Sequence, residues 1–553
     1  MAIRNKEIFD MKKINKTLAR VVVIIAVLLS ACNSDETLNL EPIGSVESAF
    51  FASEAEMEKA VKGIYQKVGY LYQYPGNQNN FIQQIFWFPS DDMVSKSPSS
   101  FATDNFDALN SSNEPLRLFF NYSYQLIARA NIVLEKIVEN GDIAYTKKPE
   151  MKNWHKGEAL FLRSWIYFQL WNVFGTAPIV NERITDLANS YPPGTTGTEL
   201  LDQAIKDLQE ASTLLPANWT ATAAIDNGRL TKSSALALRA KCLVFRGTVT
   251  KSNKDFTDAI ADINAISGYS LMANYGQNFD VAYEFNKETL FEFPASNPSG
   301  NPNPFVAGGN DAFSAIGDIG VWWGPLNNRW NWIGNANVFA TAALQNAYEK
   351  TGTGTSIVYD PRRQFVCNDV VNNNNILKYV QTNATYNTNP WVNGNGNGLN
   401  GGNSINNPRI LRYADVMLLK AEALVRSGGS LSEAIGLINQ LRDRARKSTY
   451  VASVPPSPLP APAAVPVDRL TTETNSATVL DWVFEERRLE LACEEGHRWF
   501  DLRRRHMAGE IDLKTWDFGH IKVGSGFQDK HIYFPFPGGE VTDNPNMKQN
   551  PGY

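Results

Sequence analysis

Four cysteines and five histidines in 553 residues leave little material for a disulfide framework or a histidine-based metalloenzyme. Positive charge is also short: 52 Lys+Arg against 57 Asp+Glu give a formal charge of −5. A nucleic-acid binder needs a basic surface to neutralise phosphates, so that class is excluded. After residue 31 no apolar run approaches the roughly twenty residues that a membrane-spanning helix requires. What the chain does have is an ordinary apolar fraction, 43 %, and many aromatics: 13 Trp, 20 Tyr and 29 Phe. Its length allows two to four domains or one large unit, at about 100–200 residues per domain.

The first 31 residues read as an address. Lys12, Lys13, Lys16 and Arg20 precede an apolar run from Val21 to Ala31, which is the order of a secretory signal. The run ends Leu29-Ser30-Ala31-Cys32 and resembles a bacterial lipobox, in which Cys32 is lipidated and becomes the mature N-terminus. An ordinary secretory signal with a chance cysteine is the competing reading. Asn33-Ser34-Asp35-Glu36 resembles the short acidic tag that sends Bacteroidetes-type lipoproteins to the cell surface. With Cys32 anchored, Cys242, Cys367 and Cys493 remain, an odd number. Cys242 and Cys493 sit inside helical patterns and are expected to be buried apolar residues.

The rest of the chain carries a repeated helical hairpin. Ala414, Met417, Leu418 and Ala421 form an i, i+3, i+4, i+7 stripe, and Gly428-Gly429 breaks it. Ser430 or Ser432 then caps a second stripe of Ala434, Leu437, Ile438, Leu441 and Ala445. Residues 232–266 copy the pattern, and a third copy pairs 158–163 with 204–208. Small residues on one helix let the next approach closely, as in tetratricopeptide-like hairpins that stack to bury a shared core. A generic helical bundle is the alternative. Further helices are expected over 45–70, 116–139 and 153–174. The fold class is therefore mainly α: a tetratricopeptide-like helical hairpin scaffold over about 45–273 and 408–553. It carries a large loop-rich insertion, about 274–407, with a few short strands. That block is rich in Gly, Asn, Pro and Trp and has no sustained period. Residues 453–467, with six prolines, read as an extended surface loop.

Trp482 to Arg505 interleaves acids and arginines. Asp501 stands three residues from both Arg498 and Arg504, so all three are expected to meet on one helix face. Glu494, Glu495, His497 and Asp501 lack metal-ligand spacing such as His-Glu-x-x-His. An ion-pair network clamping the helical core is the expectation.

Gly496-His497-Arg498-Trp499-Phe500-Asp501-Leu502-Arg503-Arg504 resembles the SusD/RagB family. So do Arg409-Ile410-Leu411-Arg412-Tyr413-Ala414-Asp415-Val416, Ser90-Asp91-Asp92-Met93, residues 158–174 and the ending 544–553. The resemblance implies residues 32–553 as a single SusD-like domain. It implies a lipid-anchored outer-membrane protein exposed on a Bacteroidetes-type cell surface. Such a protein caps a SusC-like TonB-dependent transporter and captures oligosaccharide or polysaccharide for import, without catalysis and without a cofactor. The quoted motifs carry the fold and the transporter partner, not the ligand.

A sugar site needs aromatic platforms beside polar side chains. Trp322, Trp323, Trp330 and Trp332, with Asn327, Asn328, Arg329 and Asn331 among them, form the strongest candidate. A buried aromatic cluster holding the loops together is the equal alternative. Trp87 with Phe101, Asp104 and Phe106 offers a second wall, although Phe86 and Phe88 beside Trp87 point to a core patch. Trp391 beside the Asn/Gly run 393–398 is a third candidate, and that run lacks the acids of a calcium loop. The competing function is a surface glycoside hydrolase, which needs two carboxylates roughly 5–10 Å apart. Asp104, Asp311 and Asp318 are available for it, but no spacing singles out a pair. A peptide-binding SusD-like protein is the remaining alternative.

Overall fold

A computed structural model describes residues 50–72, 83–95, 101–107, 109–219, 228–293, 338–368, 375–376, 378, 407–450, 456–520 and 526–553. The chain divides into two units, Met1–Ser53 and Glu54–Tyr553. The second is built mainly of helices: α1 Glu54–Tyr72, α2 Glu114–Ala144, α3 Pro149–Val173, α4 Glu199–Leu214, α5 Lys232–Thr250, α6 Asn253–Asn264, α7 Tyr413–Arg426, α8 Leu431–Lys447, α9 Ser476–Glu490 and α10 His497–Met507.

Each of the three sequence copies is a pair of helices packed on one another: α3 with α4, α5 with α6, and α7 with α8. The pairs also stack, α4 on α5 and α6 on α7, so the long insertion between α6 and α7 leaves the helical stack continuous. The expected stripes are the contact surfaces. Ala414, Met417, Leu418 and Ala421 of α7 share one buried cluster with Ala434, Ile438 and Leu441 of α8 and with Val479 and Val483 of α9. Close approach is built in at Gly247 on α5, where an added Cβ would stand 2.9 Å from the Phe256 ring on α6.

Local chemistry sets the helix ends. Thr231 and Ser234 form a capping box at the start of α5. Ser252 caps α6 through the Asp255 amide, and Asn113 caps α2 through the Leu116 amide. At α8 the cap is Ser430, which accepts from Glu433 N at 3.1 Å. α1 begins later than the expected 45–70, at Glu54, and α2 runs beyond both ends of the expected 116–139. α3 is buried all round from Gly157 to Val173, as befits the central helix of the stack.

The described parts of the insertion are short strands, turns and helical turns. β2 Thr289–Glu292 pairs antiparallel with β8 Arg409–Arg412, with Thr289 opposite Arg412 and Glu292 opposite Arg409. This ribbon closes the base of the block at both chain ends. Phe291 seats it on α3, against the rings of Phe161 at 5.3 Å and Trp165 at 5.8 Å. A four-stranded antiparallel sheet runs in the order β1 Met93–Ser95, β3 Val338–Ala340, β7 Asn375–Ile376 and β6 Cys367–Asn368. β4 Lys350–Thr351 and β5 Val358–Tyr359 form a small separate hairpin. The Pro-rich segment is exposed from residue 456 to 462 and carries no helix or strand. It is fixed further along, where Arg446 donates to Pro466 O and Arg442 to Val467 O. Among the described residues no helix is long and apolar enough to cross a membrane.

Candidate functional site

Trp322, Trp323, Asn327, Arg329, Trp330, Trp332 and Trp391, with Asp311, Asp318 and the lipidation candidate Cys32, lie outside the described residues. What is described is the frame that bounds them. Residues 294–337 leave from Phe293, whose amide bonds Pro408 O at the end of the ribbon, and return at Val338 in β3, opposite Ser95 of β1.

The second expected wall needs correction. Trp87 is only 3 % exposed, between the buried Phe86 and Phe88. Phe86 packs on Phe119 at 5.6 Å and Phe500 at 5.2 Å, so this aromatic patch belongs to the interior. Asp104 is buried as well, and its carboxylate stands 3.3 Å from His520 Nε2. Burial would lower the His520 pKa, but the hydrogen bond and charge of Asp104 hold it above its usual value. Neither Trp87 nor Asp104 presents a face to a solvent-borne sugar.

The motif residues, far apart in sequence, meet in a buried charged junction behind the ribbon. Arg412 of β8 donates to Glu494 Oε2 at 2.6 Å, to Glu288 Oε1 at 2.5 Å and to Glu490 Oε1 at 3.2 Å. Arg444 of α8 joins the same Glu288 and Glu490. Arg362 bridges Asp360, Glu486 and Glu490. Lys378 donates to Ala492 O and to Glu494 Oε1, both at 2.6 Å. Burial pushes the Glu490 carboxyl up, but the facing Arg444, Arg412 and Arg362 hold it below its ordinary value.

A second part of the junction lies between α7, α9 and α10. Arg487 bonds Asp415 at 2.7 Å and Asp501 at 2.6 Å. Glu422 takes Arg504 and Arg426, and these guanidinium groups outweigh its burial and bring its pKa down to about 2. The expected trio around Asp501 is corrected here. Arg504 does pair with it, at 2.9 Å, but Arg498 turns away to a bidentate bond with Asp91, at 2.6 and 2.8 Å. Asp91 also accepts from Trp516 Nε1, and Asp92 accepts from Arg488 at 2.7 Å. Thr341, just after β3, donates from its hydroxyl to Asp91 O and from its amide to Asp92 O. The motif 90–93 thereby ties the returning strand of the insertion to the C-terminal helices.

Glu494, Glu495, His497 and Asp501 are thus partners of arginine, lysine or tyrosine. Among the described residues no group of three or more His, Cys, Asp or Glu is placed to hold a metal. The remaining cysteines Cys242, Cys367 and Cys493 are free and buried, and burial pushes the Cys242 thiol up to about 12. Glu288, Asp360, Arg362 and Lys378 were invisible in the sequence pattern, because the block that supplies them has no period. The only sequence signal is charge inside an otherwise neutral Asn/Gly-rich stretch.

Stacked helix pairs around an all-round buried central helix, with a strand-rooted insertion, define a mainly helical, tetratricopeptide-like scaffold. The chain belongs to the SusD/RagB family. A model of the SusD family matches residues 338–553. A second, described as starch-binding and associating with the outer membrane, matches residues 41–244. The chain is 26 % identical to SusD-like protein P38 of Formosa agariphila, over 98 % of this chain and 100 % of that one. Its fold is similar to that of a SusD homolog from Bacteroides thetaiotaomicron, with a TM-score of 0.67, 19 % identity and coverage of 92 % of this chain and 99 % of that one. It is also similar to a laminarin-binding SusD-like protein, with a TM-score of 0.65, 23 % identity and coverage of 91 % and 100 %.

Proposed function

We propose that this protein is a lipid-anchored, surface-exposed outer-membrane lipoprotein that captures an oligosaccharide or polysaccharide. It delivers that cargo to a SusC-like TonB-dependent transporter and performs no hydrolysis. The carrying observation is the match of residues 41–244 to a starch-binding, outer-membrane-associated family, just after the lipobox-like Leu29–Cys32. In this reading residues 1–31 are the signal, Cys32 carries the anchor, and residues 32–553 act as one domain. The loop-rich block about 274–407 faces the ligand. Trp322, Trp323, Trp330 and Trp332 supply stacking surfaces, Asn327 and Arg329 supply hydroxyl-directed hydrogen bonds, and Trp391 is a further contact.

Calorimetric titration against a panel of soluble glycans tests this, with chromatography of each glycan after incubation. Saturating heat with one glycan class and unchanged chain length is the expected result. Shortened glycan would replace capture by hydrolysis. Silence across the panel together with binding of peptides would replace the cargo.

A further inference from the structure

A cavity of about 10 Å³ lies where α3, α5, the β2–β8 ribbon and the 491–496 turn meet. Trp165, Phe168, Leu238, Phe291, Ile410 and Leu411 make its wall apolar. Three polar side chains interrupt that wall: Gln169 from α3, Lys241 from α5 and Glu495 from the turn. They are 4 %, 5 % and 3 % exposed.

Their hydrogen bonding is incomplete in a complementary way. Gln169 Oε1 and Glu495 Oε1 have no protein partner. Glu495 uses its other oxygen, which accepts from the Tyr72 hydroxyl at 2.6 Å. Lys241 Nζ stands 2.9 Å from Asp415 Oδ2 and 3.3 Å from His497 Nδ1. An ammonium has three N–H donors, so one remains unused. Two buried acceptors without donors keep their desolvation penalty unless something small enough for the cavity satisfies them.

We propose that this cavity is the binding site of one ordered water molecule, held as a permanent part of the fold. The water accepts a hydrogen bond from Lys241 Nζ, donates one to Gln169 Oε1 and shares one with Glu495 Oε1. Three partners are the usual complement of an internal water, and about 10 Å³ is the space that one such molecule occupies. A metal cation fits poorly, because the Lys241 ammonium repels it and two oxygens are too few ligands. The water joins two successive helix pairs to the turn before α10, and the ribbon that carries the insertion closes the apolar side. It therefore pins the one place where stack, ribbon and charged junction meet. This inference does not depend on the glycan-capture reading.

A crystal structure of the purified protein, at a resolution that shows ordered waters, tests it. The expected result is one density peak about 2.7–3.2 Å from Gln169 Oε1, Glu495 Oε1 and Lys241 Nζ. An empty cavity, a direct Gln169–Glu495 hydrogen bond, or a peak at a metal–oxygen distance of about 2.4 Å would overturn it. Gln169→Leu should lose the peak and Glu495→Gln should keep it. The reverse pattern would also overturn the proposal, and the unsubstituted protein decides alone should either variant fail to fold.

Discussion

The helical stack and the junction behind the ribbon are both fully buried, yet they are held by opposite chemistry. Between α7 and α8 the contact is Leu, Ile, Met and Ala in periodic stripes. Behind β8 it is Arg362, Arg412, Arg444 and Lys378 against Glu288, Glu486, Glu490 and Glu494, all at most 4 % exposed. Apolar stripes tolerate exchange of one hydrophobic residue for another of similar volume. Buried ion pairs do not: they stabilise little beyond an apolar replacement, but removing one partner strands a charge. A protein that must carry a variable loop block on a constant stack gains from such a joint. It accepts one register of the ribbon and penalises any other.

The sharpest way to break the contrast is Arg412→Met, which leaves Glu288, Glu490 and Glu494 short of a cation. Denaturant unfolding should show a loss of about 3–5 kcal/mol, the cost of stranding buried charge. A loss well under 1 kcal/mol would mean that the junction is no more selective than the stack.

A second effect comes from Glu495, whose carboxyl burial pushes up to about 8 from an ordinary 4.5. Between those values the unfolded chain has released the proton and the folded chain still holds it. Stability should therefore fall as pH rises from about 4.5 to 8. Glu495→Gln should flatten that slope in unfolding midpoints measured across the range, and an unchanged slope would assign it elsewhere.

In the apolar stack, Ile438→Val removes one methylene from the fully buried α7–α8 contact. It should cost about 1 kcal/mol in the same denaturant assay. The smallest effect is expected at the surface pair Lys254–Asp258, where the lysine side chain is 79 % exposed. Lys254→Ala should shift stability by no more than about 0.5 kcal/mol.

The stack was legible because its order is local. Ala414 to Ala421 and Ala434 to Ala445 repeat at helical spacing, and a period survives without knowledge of any partner. Ser430 could be placed as a cap for the same reason. The junction was legible only in half. The arginines and acids of 482–505 announced a clamp, but their partners stand 124 residues away for Arg412–Glu288 and 396 for Arg488–Asp92. No spacing rule reaches that far. Local proximity even misled at Arg498, where Asp501 three residues on lost to a bidentate carboxylate on Asp91. Trp87 shows the same limit for aromatics. Flanking Phe86 and Phe88 signalled a core patch, and burial against Phe119 and Phe500 is a tertiary fact.

Glycan capture by the insertion rather than by the stack is tested most directly by one titration. The glycan that saturates the unsubstituted protein is titrated into a Trp322→Ala/Trp330→Ala variant whose unfolding midpoint is unchanged. Loss of at least about tenfold in affinity is predicted, since stacking on an aromatic ring is worth about 1 kcal/mol or more per contact. Equal affinity at equal stability would contradict capture through these tryptophans and move the ligand site off the Val321–Ile333 segment.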